Sequence, residues 1–579
     1  MSTSLRVRHI PRHRRQGTPS SRSKLMQASV VMAAGAMISR LLGFVRNFLF
    51  GMILAGSMTS AASAFSAANT LPNTIWLLVG GGTLNAILVP AIVRAVKRPD
   101  RGSDYISRLM TLVATLSLGV TVICMIAVPL LLTLTSGVLP PQTYALAVQL
   151  GYWMMPQIFF SALYVMCGQL LNAHDSFGPY QWAPVLNNLV GIIGALLFLG
   201  MWGSTGDPAA WTMPMVVAMA AINVGGSAAQ VVFLFWYVKK LDLQLRPRWG
   251  FRGLGLGKLS RIGLWSLGML GLGQLGIWAS RWAAGGAVRM TEQLRDQPEL
   301  AARYPALLTM DWAYMAFMIP QGIIAVAVVT AVFPAISRRA VDGDHAGALA
   351  RYAETNRMLA VPMMLCTAVF IALAGPIMWV IGGGTGETAA RANGTVLVAY
   401  MLGLVPFAAL YLIKRVFYAY EDARTPFLSQ IPIAVISLAA VPLILLLVDP
   451  MWATMAAAGS TSLGNLVAWL VGMWQLRRRA SRLGTVPPSL AAGAVVAAKL
   501  LGAAVASWAV GTALVGLAGE LIWSGRLAAV VLGGLIALVM TAVFTALGWL
   551  LHVKEVRVLV GYAQRVVTRL TRRGRRATS

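Results

Sequence analysis

The 579-residue chain is poor in charge: 11% of its residues are Asp, Glu, Lys or Arg, with 18 acidic against 47 basic. With 58% hydrophobic residues and a mean hydropathy of +0.72, it has too little polar surface for a soluble fold of this size. The scarcity of charge implies a polytopic membrane protein. Cysteine is scarce as well. Cys124, Cys167 and Cys366 all lie inside apolar segments, which implies packing thiols and no disulfide framework. The five histidines (His9, His13, His174, His345, His552) sit in tails or loops without metal-ligand spacing. The basic first 25 residues lack a short apolar core followed by a small-residue cleavage site, so a cytoplasmic tail is expected there rather than a signal peptide.

Carboxylates are missing where transporters of cations commonly need them. All 18 fall in loops or near the ends of apolar segments, Asp311 being the most nearly buried. Proton relays and cation sites use carboxylates at mid-membrane, so a proton-coupled exporter of cationic drugs is disfavoured. Signs of catalysis are also lacking. GLGLGK (253–258) has neither the first glycine of Walker spacing nor a Ser or Thr after its lysine, and reads as a basic loop. GGGTGE (382–387) reads as an external turn. No catalytic dyad falls in the apolar segments, and neither an enzyme nor a cofactor is expected.

What is present is apolar length. Fourteen segments, at 26–55, 64–93, 109–133, 142–171, 180–202, 211–238, 262–288, 306–336, 358–381, 394–419, 427–448, 452–475, 488–518 and 527–551, suit helices of about 20 residues rather than barrel strands. The expected fold is an all-α membrane protein of 14 transmembrane helices. Lys and Arg crowd the tails and the loops of one side, while the other side's loops hold Arg289, Arg295, Arg303, Arg391 and Arg526. That imbalance puts both termini in the cytoplasm. It also accounts for the net charge of +29 by orientation and by affinity for anionic membrane lipids, without nucleic acid.

An internal echo divides the chain. SALYVMCGQLLNAHDSFGP (161–179) and AALYLIKRVFYAYEDARTP (408–426) share Ala-Leu-Tyr and a final proline at an offset of 247, and LVPAIVRAVKRPD (88–100) echoes VFPAISRRAVDGD (332–344) at an offset of 244. The expected organisation is a basic tail (1–25), a six-helix lobe (26–240), a cytoplasmic loop (241–261), a second six-helix lobe (262–476), a helix pair (488–551) and a basic tail (552–579). Six is even, so the lobes repeat in parallel, and substrate sites in such transporters lie between them.

The deep charges are basic. Arg40 and Arg46 interrupt the first apolar segment at MISRLLGFVRNFLFG (37–51), where an arginine costs roughly 2.5–3.5 kcal/mol at the bilayer centre on lenient scales. They lie about 120° apart around an ideal helix, and Gly43 between them offers a bend. Arg281 reads equally as an interfacial residue or as a third member. Lys414, Arg415 and Lys499 read as snorkelling residues. Arginines without acidic partners, facing an interlobe cleft, make an anion site, because guanidinium matches phosphate oxygens bidentately. Asn69, Asn73, Asn85 and Gln274 supply amides for a polar head group. The prolines within segments (Pro72, Pro156, Pro184, Pro320, Pro362, Pro406) read equally as kinks or as hinges.

Four stretches together resemble the MurJ/MviN family: SRLLGFVRN, LPNTIWLLVGGGTLNAILVP, LNAHDSFGPYQWAPVLNN and FYAYEDARTP. The resemblance covers about residues 26–550. It implies lipid II flippases of the multidrug/oligosaccharidyl-lipid/polysaccharide exporter superfamily, in the bacterial cytoplasmic membrane. The expected activity is alternating-access transfer of undecaprenyl-diphosphate-linked disaccharide-pentapeptide from inner to outer leaflet, for cell-wall synthesis and cell shape. By the same resemblance, two lobes enclose a cationic cavity, the last helix pair adds an apolar groove for the lipid tail, Arg40 and Arg46 match the family's first-helix arginines, and cell-wall synthesis proteins are candidate partners. The chain departs from the family's charges at Trp76, Leu77, Gly81, Ser63, Asn47 and across Met315–Met318. Two alternatives stay open: a flippase for another polyprenyl-diphosphate glycan, or a non-transporting scaffold for wall-synthesis enzymes.

Overall fold

A computed structural model describes residues 21–79, 92, 95, 102–250, 261–486 and 489–561. Asn85, Gly81, the first copy of the 88–100 echo and the GLGLGK stretch lie outside the described residues. Every regular element among the described residues is helical. In hydrocarbon, helices satisfy their own backbone polar groups, which few other structures can do.

The chain runs through α1 (Ser21–Ile53), α2 (Ser60–Val79), α3 (Ser103–Ile126), α4 (Val128–Ser136), α5 (Pro141–Met154), α6 (Gln157–Ala173), α7 (Phe177–Trp202) and α8 (Met213–Lys239). It continues through α9 (Arg261–Ala283), α10 (Gly285–Gln293), α11 (Leu307–Pro320), a π-helical turn (Gln321–Ala325) and α12 (Val326–Val341). Then come α13 (His345–Ala372), α14 (Ala374–Ile381), α15 (Glu387–Met401), α16 (Leu404–Ala419), α17 (Ile431–Leu447) and α18 (Pro450–Arg482), followed by α19 (Leu490–Ala518) and α20 (Arg526–Leu550).

Eleven helical stretches among the described residues are long and apolar enough to cross a membrane. The helices over the other three expected segments, α2, α9 and α18, fall short by that measure. The reason is visible in their side chains: α2 carries Asn69, Thr70, Asn73 and Thr74, α9 carries Gln274, Ser280 and Arg281, and α18 carries Thr461 and Asn465, all lining internal cavities. A helix that faces water inside a bundle forfeits mean hydropathy in proportion.

Two of the long apolar stretches are broken into helix pairs, one of them at a proline. α5 gives way to α6 at Met155-Pro156, and α15 gives way to α16 at Leu402-Gly403. These breaks stand at the offset that relates the Ala-Leu-Tyr echo. Pro320 precedes the π-helical turn, as expected where a proline disturbs the hydrogen-bond ladder.

Helices α1–α8 pack chiefly on one another, through α1 on α7, α7 on α8, α2 on α5 and α6 on α8. Helices α9–α18 do the same, through α9 on α17, α17 on α18 and α13 on α16. Small residues let these backbones approach: Ala61, Ala62, Ala64, Ala67 and Ala68 of α2 are fully buried. Helix α19 lies on α13 and α20, and an apolar cavity of about 440 Å³ opens between α13, α16, α18 and the start of α19.

The two halves meet at the end of the bundle where α1 finishes. There Thr309 Oγ1 donates to Asn393 Oδ1 at 2.6 Å, and Asn393 Nδ2 donates to Ser57 Oγ at 2.8 Å. Both Thr309 and Asn393 are fully buried. The turn after α14 presses on α1 so closely that a Cβ on Gly383 would lie 1.8 Å from the Phe48 carbonyl oxygen. Arg526, at the start of α20, clamps that turn by donating to the carbonyls of Trp379, Gly382 and Thr385, with its guanidinium 4.8 Å from the Phe48 ring. The GGGTGE stretch forms a turn, as expected, and this turn also packs on α1 where the halves meet.

Candidate functional site

Below this seal a cavity of about 370 Å³ lies between the halves, walled by α1, α2, α8, α9 and α11. Four of the seven residues expected from the sequence line it: Arg46, Asn69, Asn73 and Gln274. The α-helical spacing explains the grouping on α2, since Asn69, Asn73 and Leu77 recur every four residues on one face. Pairing across the halves adds the rest. Thr74 Oγ1 donates to Gln274 Oε1 at 3.3 Å, and Asn47 Nδ2 donates to Met315 Sδ at 3.2 Å.

Arg46 is the cavity's uncompensated charge. Among the described residues it makes no ion pair. Its Nη2 donates weakly to Asn47 Oδ1 at 3.4 Å, its guanidinium stands 5.7 Å from the Phe50 ring, and its buried Nε has no partner. The stem is threaded over α7 at Gly191, where a Cβ would lie 2.5 Å from Arg46 Cδ. A methyl at this position would displace the arginine stem from the path it takes to the cavity.

Arg281 behaves otherwise. It is 2% exposed, and its Nη1 donates to Asp311 Oδ1 at 2.9 Å while Nη2 donates to Ser66 Oγ at 3.0 Å. Ser66 in turn donates to Asp311 Oδ2. The expectation of deep arginines without acidic partners therefore holds for Arg46 and fails for Arg281. Its carboxylate comes from α11, which begins only a few residues earlier, so Asp311 looked like an end residue in the linear sequence. The part of Asp311 left accessible faces the internal cavities.

Arg40 is exposed and outside the cavity lining; it reaches the other half at the π-helical turn, where a Cβ on Gly322 would lie 3.5 Å from its Nη2. Asn223 of α8 and Tyr314 join the cavity without having been singled out from the sequence, and Asp311, the carboxylate read there as most nearly buried, joins it too. A lone Asn in an apolar helix was the available signal for Asn223.

A second chamber of about 400 Å³ adjoins the first within the later half, sharing Leu77, Gln274, Ile277, Asp311 and Tyr314 with it. Lys414 lines it and donates from Nζ to Gln430 Oε1 at 2.7 Å. That corrects the snorkelling reading of Lys414. Lys499 is half-buried and donates to the Leu551 carbonyl at 3.0 Å, just past the end of α20. Among the described residues no group of three or more His, Cys, Asp or Glu side chains is placed to hold a metal ion.

Among the described residues the site thus combines a guanidinium without an ion-pair partner, several amides and hydroxyls, and walls from both halves. Comparison with known proteins agrees with this architecture. A family model described as lipid II flippase MurJ matches residues 54–544. A protein of Synechocystis sp. described as a probable lipid II flippase MurJ is 26% identical over 473 residues, 80% of this chain and 84% of that one. A solved structure of lipid II flippase MurJ in an inward closed conformation aligns with a TM-score of 0.65 at 17% identity, over 89% of this chain and 99% of that chain. An inward-facing multidrug resistance transporter of the MATE family, in the MOP superfamily, aligns with a TM-score of 0.61 at 15% identity, over 79% of this chain and 98% of that chain. At these identities the two structures show the fold alone.

Proposed function

The chain belongs to the MurJ family, and from that membership we propose that it flips lipid II across the bacterial cytoplasmic membrane, with Arg46 holding the diphosphate. The single observation that carries this reading is the interlobe cavity, in which Arg46 has no acidic partner among the described residues and stands among the amides of Asn69, Asn73 and Gln274. A cation stripped of water and left without a carboxylate is stable only where an anion arrives to pair with it.

The two helical halves act as lobes (26–240 and 262–476). Both termini face the cytoplasm, so the seal at Ser57, Thr309 and Asn393 closes the outer end. Cargo enters from the inner side. Its diphosphate meets Arg46, its sugars meet the amides, and its polyprenyl tail stays in lipid or in the apolar groove beside α19. Arg40, which lies near Gly322 of the other half, guides the diphosphate on entry. Rocking of the lobes then breaks the seal and exposes the head group outside. An inside-negative potential favours outward movement of negative charge by roughly 2.3 kcal/mol per charge per 100 mV.

The test is translocation of fluorescent lipid II by purified protein in liposomes, with and without an imposed potential. Wild type should transfer the lipid and Arg46→Ala should not. Equal rates for the two proteins would end the proposal.

A further inference from the structure

The second chamber carries an observation that the diphosphate reading leaves unused. Lys414 lies five residues before the end of α16, within snorkelling reach of that helix end. It turns inward instead, to Gln430. An ammonium has three donors, and among the described residues Gln430 Oε1 is the hydrogen-bond acceptor for this one. The chamber's other charges, Arg281 and Asp311, neutralise each other at 2.9 Å. Among the described residues the chamber thus carries one net positive charge, at Lys414, beside the neutral polar groups of Gln430, Thr461 and Asn465.

Resting on the flippase reading, we propose that this chamber is a second anion subsite, in which Lys414 receives a carboxylate of the cargo's stem peptide while Arg46 receives the diphosphate. Three features select this ligand. First, an ammonium is a point charge suited to one carboxylate oxygen, whereas a guanidinium fork suits a diphosphate. Second, the two chambers share Gln274 and Asp311 in their walls, so one extended head group reaches both. Third, each chamber, at about 370 and 400 Å³, lies at the small end of the range for ligands of drug size, about 300–1,000 Å³. A disaccharide-peptide needs the two together. Discrimination against cargo lacking the peptide follows, because a buried cation left unpaired penalises it.

The experiment measures binding of three lipids to full-length protein in nanodiscs: lipid II, lipid II with its peptide carboxylates amidated, and undecaprenyl diphosphate alone. Wild type should bind native lipid II about tenfold or more tighter than the amidated form. Lys414→Met should lose that preference and Lys414→Arg should keep most of it, while both bind undecaprenyl diphosphate as wild type does. Arg46→Ala should weaken all three lipids, and its failure to do so counts against the flippase site rather than against this subsite. Wild type that does not discriminate the amidated lipid overturns the proposal without any variant being needed. So does Lys414→Met retaining the preference, or free acetate or phosphate at millimolar concentration abolishing it.

Discussion

Arg281 Nη1 stands 2.9 Å from Asp311 Oδ1, and both residues belong to the later half of the chain. The third member of the cluster, Ser66, comes from α2 in the earlier half. The charge pair therefore lies within one half, and within this cluster only the serine hydrogen bonds run between halves. This lets a transporter keep a buried ion pair without making it a barrier to each cycle.

Removing one partner leaves a buried charge unpaired, at a cost of about 3–5 kcal/mol. Asp311→Leu and Arg281→Met should each lower thermal stability strongly, while the double variant recovers much of the loss. A cycle measured by thermal unfolding in detergent checks this; additive losses would show that the pair is not coupled. Ser66→Ala should cost less, about 1–3 kcal/mol, and should bias the protein away from the sealed state.

Gly191 tests how Arg46 is aimed. A Cβ there would lie 2.5 Å from Arg46 Cδ, so Gly191→Ala must push the arginine off its path. Lipid II transfer should drop several-fold or more, with little change in unfolding temperature. If Gly191→Ala transfers lipid II at the wild-type rate, the arginine does not depend on this route.

The guanidinium geometry at Arg46 is separable from its charge. Arg46→Lys keeps the charge and loses the bidentate fork. Transfer should fall by about tenfold, between wild type and Arg46→Ala. Identical behaviour of Lys and Ala at this position would mean that the charge itself contributes nothing.

The seal makes a prediction about conformation. Gly383→Ala places a methyl against the Phe48 carbonyl, so the turn after α14 must withdraw. With native cysteines removed, a single cysteine at Ser57 should be labelled by an impermeant maleimide from the outer side faster in Gly383→Ala than in its parent. Unchanged labelling would mean that this contact does not hold the seal.

Much of this protein is written along the chain. Low charge and long apolar runs dictate a helical membrane bundle, because hydrocarbon leaves the backbone few other ways to satisfy itself. The internal echo marks broken helices at Met155 and Leu402. Arg46, Asn69, Asn73 and Gln274 stood out because polar groups in apolar helices are costly and need a reason. Other features arise only when helices from distant parts of the chain are brought together. Asp311 sits near a helix start and looked peripheral until α9 laid Arg281 beside it. The close packing of the GGGTGE turn on α1 has no signal in the linear sequence. Lys414 looked like a snorkelling residue because its distance to the interface is legible in sequence, while the direction of its side chain is decided by the chamber between α9, α16, α17 and α18. Local composition states the cost of each group in the membrane; tertiary packing decides which group offsets it.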